Sequence, residues 1–539
     1  MSLQFCIGGS GAGKSERLYE EVIQASLREP GRHFFIIVPD QFTMQTQKEL
    51  VLRHPNHGIM NIEVLSFGRL THRIFEETGM GKQPVLDDTG KSLILRRIAA
   101  QCEEELSVIG ANIRRIGYIH EVKSAISEFM QYGIGISQLH ELEQYADGRG
   151  SLKHKLHDLE ILYRNFMEAI QGRFVTTEGQ LGLLSEALLH SEMIRGSSIV
   201  FDGFTGFTPI QHQVIEKLLI LAKEVKVAVI MDGDEDPYAE DGEQKLFAFS
   251  KKMMHTLRGI AQRAGILQKP DIVLTGKPVF RFLKNPGMAH LEQELFRYHD
   301  KPFLEKQEAV RMMEADSPRD EVRQTCIKIR RLIRGEGFQY RDIAVVAGDL
   351  SAYADDVEEL FASFGIPCYV DATKGVVQNP FIEYIRSALQ VLLQNFSYEA
   401  VFRFLRSGLT DISREDADLL ENYVLRQGIR GRKRWSSLFV RRGDSEEETG
   451  LLARVNAARE AFMNTLSPLL LDAAKTREHI EHLYAFLTGS RTFERLCEWE
   501  DYFTKEGDLV RAKEYSQIYR LVMGLLEQIY DLIGEEEMT

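Results

Sequence analysis

Eight residues near the start of the chain carry its clearest chemical signal. Gly8-Gly9-Ser10-Gly11-Ala12-Gly13-Lys14-Ser15 fits GxxxxGK[ST] at every fixed position. Glycines so spaced let backbone N–H groups wrap phosphate oxygens, and a helix opening at the loop's end adds positive potential. Lys14 is expected to reach the β- and γ-phosphates, and the Ser15 hydroxyl to hold Mg²⁺. Gly8, Gly11, Gly13, Lys14 and Ser15 are therefore the expected ATP-binding residues. A plain glycine-rich turn is the alternative, and the flanks count against it. Hydrolysis requires more parts. Ile199-Val200-Phe201-Asp202 offers an apolar run ending in an acid, so Asp202 is expected to share the Mg²⁺ with Ser15; a carboxylate capping a turn is the other reading. Motor ATPases usually place a glutamate next, to polarise the attacking water. Here the next residue is Gly203.

Strands and helices must bring these groups together. Leu3 to Ile7 is a short apolar run that stops at glycines, which suits a buried strand, and Leu18, Val22, Ile23 and Leu27 then share one helical face. Further strands are expected at 34–38, 62–65, 198–202 and 225–232, with helices between them. That alternation predicts a parallel, doubly wound α/β sheet. From Asp87 to Met193 the pattern is mainly helical. A second α/β segment opens near Glu308, with strands expected at Val310 to Ala315, Ile343 to Val346 and Pro367 to Val370, and helices at Glu321 to Arg334 and Val357 to Phe364. From Phe381 onward nearly everything reads as helix. The expected domains are 1–86 with 196–300, a helical insertion at 87–195, a second and partial α/β domain at 301–385, and a second helical insertion at 386–539. The second α/β segment is short of strands, so the chain is expected to stop inside that insertion.

The 539 residues carry a formal net charge of −14 and are 44% hydrophobic, which excludes a disordered chain and a broadly basic nucleic-acid coat. A local basic groove remains compatible with that balance. No apolar run approaches the roughly 18 residues of a membrane span, and the N-terminus lacks the pattern of a signal peptide. Cys6, Cys102, Cys326, Cys368 and Cys497 are scattered without a CxxC pair. They read as reduced packing residues of a cytoplasmic protein, with neither a disulfide framework nor a complete metal site.

Other landmarks fall in a fixed order along the whole chain. They are Val38-Pro39-Asp40-Gln41, Leu65-Ser66-Phe67-Gly68-Arg69-Leu70, Phe201-Asp202-Gly203-Phe204, Tyr340-Arg341-Asp342-Ile343-Ala344-Val345, Gly365-Ile366-Pro367-Cys368-Tyr369-Val370-Asp371 and Asn379-Pro380-Phe381-Ile382. With the phosphate loop, this series resembles superfamily 1 helicases of the UvrD type and, more closely, the AddB (RexB) family. AddB proteins are subunits of bacterial AddAB helicase–nucleases, which process double-strand breaks for recombination. The resemblance implies two RecA-like parallel-sheet domains of P-loop NTPase type, each with a helical insertion. It also implies an AddA partner in a heterodimer and DNA, single-stranded and as a duplex end, but no membrane. Family members are about twice this length, so an N-terminal fragment is expected. Their full-length form implies a nuclease and a [4Fe–4S] cluster whose ligands are not recognisable in this chain.

Departures from active helicases set the expected activity. Gly233-Asp234-Glu235-Asp236-Pro237 puts proline where a γ-phosphate-sensing glutamine belongs. Ala347-Gly348-Asp349 lacks the arginine expected after Ile-Ala-Val, and the chain opens on its first strand without an upstream adenine-reading segment. Little or no ATP turnover is expected, with unwinding assigned to AddA. The rivals are an autonomous DNA-stimulated motor and a P-loop ATPase or kinase unrelated to DNA.

In helicases of this type, the loops after the second and third strands touch single-stranded DNA. The residues in question are Asp40, Gln41, Thr43, Phe67 and Arg69, joined by Phe204 and Phe207 after Asp202. Aromatic faces stack bases at about 1–3 kcal/mol each, while Arg, Gln and Asp bond base edges. The resemblance implies that this surface inspects the exiting strand for a recombination hotspot (Chi) sequence. Core packing of Phe67 and Phe207 is the alternative. A second basic stretch, Arg426, Arg430, Arg432, Lys433, Arg434, Arg441 and Arg442 with Trp435 and Phe439 interleaved, suits a nucleic-acid backbone. A salt-bridged, solvated loop is favoured over it, with the acidic run Asp444 to Glu448 placed to neutralise it.

Overall fold

The structure is a computed structural model that describes residues 1–110, 116–146, 150–239, 242–297, 301–372, 375–440 and 446–537. The chain divides into two compact units, Met1–Arg311 and Met312–Thr539.

The first unit is built on a parallel sheet of seven described strands: β1 (Ser2–Gly8), β2 (Phe34–Ile37), β3 (Ile62–Leu65), β6 (Ser198–Phe201), β7 (Glu224–Ile230), β8 (Leu267–Gln268) and β9 (Ile272–Leu274). Their spatial order is β3-β2-β6-β7-β1-β8, with β9 also pairing β1. The strands are near-continuous apolar runs because both faces are covered. Period-two alternation divides them between two cores. Phe35, Ile37, Ile199, Phe201 and Val227 join Leu70, Leu218 and Leu257 on one side. Phe34, Ile36, Val38, Val200 and Ala228 join Leu18, Val22, Ile23 and Leu50 on the other. The helices over these faces are α1 (Lys14–Arg28), α2 (Thr43–Arg53), α3 (Phe67–Thr78), α9 (Pro209–Leu221) and α10 (Ala248–Arg263), followed by α11 (Pro286–Glu294). Since every strand is parallel, the loop after β1 and the turn after β6 leave the same edge of the sheet.

Between β3 and β6 lies a run of helices: α4 (Asp88–Gln101), α5 (Ile116–Tyr132), α6 (Ile136–Tyr145), α7 (Gly150–Ile170) and α8 (Thr177–Ala187). A two-residue parallel ladder, β4 (Val85–Leu86) on β5 (Val175–Thr176), ties its ends together. Inside it, fully buried Asp158 accepts from the backbone N–H groups of Ser107 (2.9 Å), Val108 (2.8 Å) and Ile109 (2.7 Å) and from the Ser107 hydroxyl (3.0 Å). Burial alone would raise its pKa, but these donors outweigh burial and hold the carboxyl below the usual range. A depressed carboxylate pKa gives stability that is present at neutral pH and lost as acidification protonates the group. Asp158→Asn is therefore expected to destabilise the chain by about 1–3 kcal/mol at pH 7. It should also flatten the loss of stability below about pH 4, where an unfolded aspartate titrates. Urea unfolding of both proteins at several pH values checks this, and an unaltered acid slope would refute it.

The second unit is helical: α12 (Pro318–Gly335), α13 (Ala354–Ser363), α14 (Pro380–Leu393), α15 (Tyr398–Leu405), α16 (Arg414–Gln427), α17 (Arg432–Trp435), α18 (Glu446–Leu466), α19 (Thr476–Gly489), α20 (Thr492–Glu506) and α21 (Leu509–Ile533). Helices α12 and α13 match the sequence expectation closely. The strands expected at 310–315, 343–346 and 367–370 are absent, and no strand occurs among the described residues of this unit. A parallel strand exists only by pairing with a neighbour. These segments run unpaired, leaving Val346 92% and Tyr369 87% exposed.

The basic stretch combines exposed basic residues with buried aromatics. Trp435 and Phe439 are buried in the helical core, where Trp435 meets Phe462 at 5.0 Å between ring centres. They are anchors rather than stacking platforms. Arg426, Arg430, Arg432, Lys433 and Arg434 are exposed. Arg441, Arg442 and the acidic side chains of 444–448 lie outside the described residues.

Candidate nucleotide site and its flanking surface

The loop between β1 and α1 takes its shape from glycine. Gly11 (φ 84°) and Gly13 (φ 97°) occupy left-handed conformations that side chains rarely adopt. The Lys14 Nζ donates to the Gly8 and Gly9 carbonyls, both at 2.9 Å. Lys14 is buried, which pulls its pKa below the usual lysine value, while the nearby Asp202 charge acts in the opposite direction.

Asp202 follows β6 and is itself buried. Its N–H donates to the Ile37 carbonyl at 3.0 Å, and its Oδ2 accepts from the Tyr19 hydroxyl at 2.7 Å. Burial and the adjacent Asp202 carboxylate both raise the Tyr19 pKa, so the phenol remains a donor. Gly11, Gly13, Lys14, Ser15, Tyr19 and Asp202 line one cleft of about 1260 Å³. Gly8 closes β1 beneath it. The expected nucleotide residues thus converge on one place. The Ser15 hydroxyl and Asp202 carboxylate are hard oxygen donors of the kind Mg²⁺ takes alongside phosphate oxygens.

Gly203, directly after Asp202, has φ 81°, and an added Cβ would lie 3.4 Å from Pro39 and 3.6 Å from Phe42. A side chain is strained at this position whatever the space.

Sequence reasoning missed several groups around the loop. Tyr19 was invisible as a partner because 183 residues separate it from Asp202. Arg281, which follows β9, donates its backbone N–H to the Gly11 carbonyl at 3.1 Å and lines the cleft. Glu292 on α11 sets its Oε1 3.1 Å from where a Gly9 Cβ would stand. Burial raises its pKa, and Arg297 opposes that shift. Arg297 also grips both oxygens of Asp232 (2.9 and 2.8 Å), while Lys277 holds Asp234 at 2.6 Å. No short motif links these positions to the loop.

The surface flanking the cleft is only partly as expected. Asp40, Gln41 and Arg69 are exposed, and Phe42 joins them as an unanticipated exposed aromatic. Ser66 caps α3 by accepting the Arg69 N–H at 3.3 Å, so the backbone of Arg69 is pinned while its side chain reaches solvent. Two expectations are corrected. Thr43 is buried, and its hydroxyl donates to the Asp40 carbonyl at 2.9 Å. Phe67 is 7% exposed and packs against Phe201 (6.0 Å), Phe204 (5.8 Å) and Phe207 (6.3 Å between ring centres). Its faces are taken by other rings. Phe204 and Phe207 are half-buried against the same cluster.

Among the described residues no group of close-set metal ligands contains a cysteine. All five cysteines are free, and burial pushes the Cys6 thiol up to about 11. The group of possible metal ligands found among the described residues is His140, Glu143 and Glu160.

Residues 5–292 match the family described as "ADDB, N-terminal". Similar curated proteins include the ATP-dependent helicase/deoxyribonuclease B-subunit of Lachnoclostridium phytofermentans, 41% identical over 99% of this chain and 47% of that protein. The proteins of the same name from Acetivibrio thermocellus and Desulforamulus reducens are 33% and 34% identical, over 99% and 100% of this chain and 48% of each relative. The chain spans about half the length of the curated relatives it matches.

Proposed function

The chain belongs to the AddB N-terminal family, and from that premise we propose that it is the nucleotide-binding, DNA-inspecting part of the AddB subunit of an ATP-dependent helicase–deoxyribonuclease. In this reading it pairs with an AddA subunit in the cytoplasm and serves double-strand break repair by homologous recombination. It binds ATP–Mg²⁺ through Gly8 to Ser15 and Asp202, turns it over feebly or not at all, and holds single-stranded DNA for recognition of a hotspot sequence.

The observation that carries this reading is one cleft joining a strand–glycine loop–helix to a buried carboxylate on a strand one place removed. Lys14 and Asp202 line that cleft together, which supports phosphate contact by the cation and metal contact by the hard anion. The strand order, with β7 between β1 and β6, supports a RecA-like architecture for the first unit. The names of the relatives support the helicase–nuclease assignment. Gly203 supports weak turnover, since the position after Asp202 offers no base. Asp40, Gln41, Phe42 and Arg69 form the exposed surface best suited to reading bases. No described helix is long and apolar enough to cross a membrane.

The test is ATP–Mg²⁺ binding and phosphate release by this chain, with and without single-stranded DNA. Binding with background-level release in both conditions is the expected result. Vigorous DNA-stimulated release would replace this reading with an autonomous motor, and nucleotide binding without any DNA affinity would favour an unrelated P-loop protein.

A further inference from the structure

We infer that Arg281 is a ligand of the terminal phosphate and gives the cleft its preference for ATP over ADP. This rests on the nucleotide reading above and deepens it. Lys14 marks the terminal-phosphate end of the loop, because its Nζ lies against the Gly8 and Gly9 carbonyls and this lysine is the one that reaches the β- and γ-phosphates. Arg281 lines the same cleft, with its charge near enough to act on the Lys14 ammonium. Its N–H bonds the Gly11 carbonyl, and its Cβ, Cδ and Nε lie 2.7, 3.3 and 3.4 Å from where a Gly11 Cβ would be. The side chain therefore runs along the loop in the space that glycine leaves open.

Its charge is free for a ligand. Arg281 is exposed and forms no ion pair or side-chain hydrogen bond among the described residues. Neighbouring cations differ in this respect: Arg17 pairs with Glu21, Arg53 with Glu16 and Glu49, and Arg297 with Asp232. Glu292 brings negative charge to the Gly9 end, which an incoming phosphate must meet. A guanidinium near Lys14 offsets that repulsion and offers a fork of donors suited to phosphate oxygens. ADP lacks the phosphate that reaches this end.

Calorimetric titration of Mg–ATP and Mg–ADP into the chain and into its Arg281→Ala, Arg281→Lys and Lys14→Ala variants tests the assignment. Arg281→Ala is expected to weaken Mg–ATP about tenfold or more, the scale of one charged hydrogen bond, while Mg–ADP changes by less than about threefold; Arg281→Lys should fall between. Equal weakening of both nucleotides would mean that Arg281 only props the loop, and unchanged Mg–ATP affinity would mean that it touches no phosphate; either result overturns the inference alone. Undiminished binding by Lys14→Ala would instead overturn the nucleotide reading, and this inference with it. A thermal melt of each variant confirms that the fold is intact.

Discussion

Replacing Lys14 by alanine is expected to weaken Mg–ATP binding about a hundred- to a thousandfold. The ammonium contributes charged hydrogen bonds to two phosphates, each worth about 1.5–3 kcal/mol. Losing about 3–4 kcal/mol of that total gives the stated factor. The effect on the fold should be far smaller. Lys14 is buried with carbonyls as its hydrogen-bond partners, so truncation removes a desolvated charge together with the bonds that hold it. Melting curves separate the two effects. At ATP concentrations about a hundred times Kd, binding stabilises the native state by about 2.7 kcal/mol. That is a rise of several degrees, at about 2–4 °C per kcal/mol for a large domain. The variant should lose this rise while melting within about 2 °C of the parent without nucleotide. An equal ATP-dependent rise in both proteins would remove the phosphate-loop assignment.

Phe67→Ala is expected to destabilise the first unit by about 3–5 kcal/mol, the range for deleting a buried aromatic ring. It leaves a hole among Phe201, Phe204 and Phe207 under the end of β6, next to Asp202. Arg69→Ala, two residues away and exposed, should change stability by less than about 0.5 kcal/mol. It should nevertheless weaken single-strand binding, as Phe42→Ala should too. Denaturant unfolding and DNA titration of the three variants test the pattern. A stable Phe67→Ala protein with a selective DNA defect would restore Phe67 as a base-stacking residue.

Contiguous features were legible in the sequence. The strand–glycine loop–helix can be read because its glycines, lysine and serine sit within eight residues and the flanking periodicities agree with one another. The order of the first sheet follows less directly, since β6 and β7 enter it only after a helical insertion of about a hundred residues. Tyr19, Arg281 and Glu292 could not be read, because their roles depend on packing between distant segments and their spacing carries no signature. The choice between core and surface for Phe67 and Trp435 could not be made for another reason. An aromatic beside arginines looks the same in sequence whether it points outward or anchors a core. Ile343 to Val346 has the apolar content of a strand, but strand formation depends on a neighbour that the run cannot specify.

Gly203 also bears on the absence of a glutamate after Asp202. A left-handed backbone between Pro39 and Phe42 is easily held by glycine, and any side chain there carries a penalty of about 1–2 kcal/mol. Placing a glutamate there therefore means holding a side chain in a left-handed conformation, its Cβ in contact with Pro39 and Phe42. The turn from Pro39 to Phe42 carries the exposed Asp40, Gln41 and Phe42. On the proposed reading, the residue that would complete a hydrolytic site is disfavoured by the backbone at its own position, beside the surface proposed to read DNA.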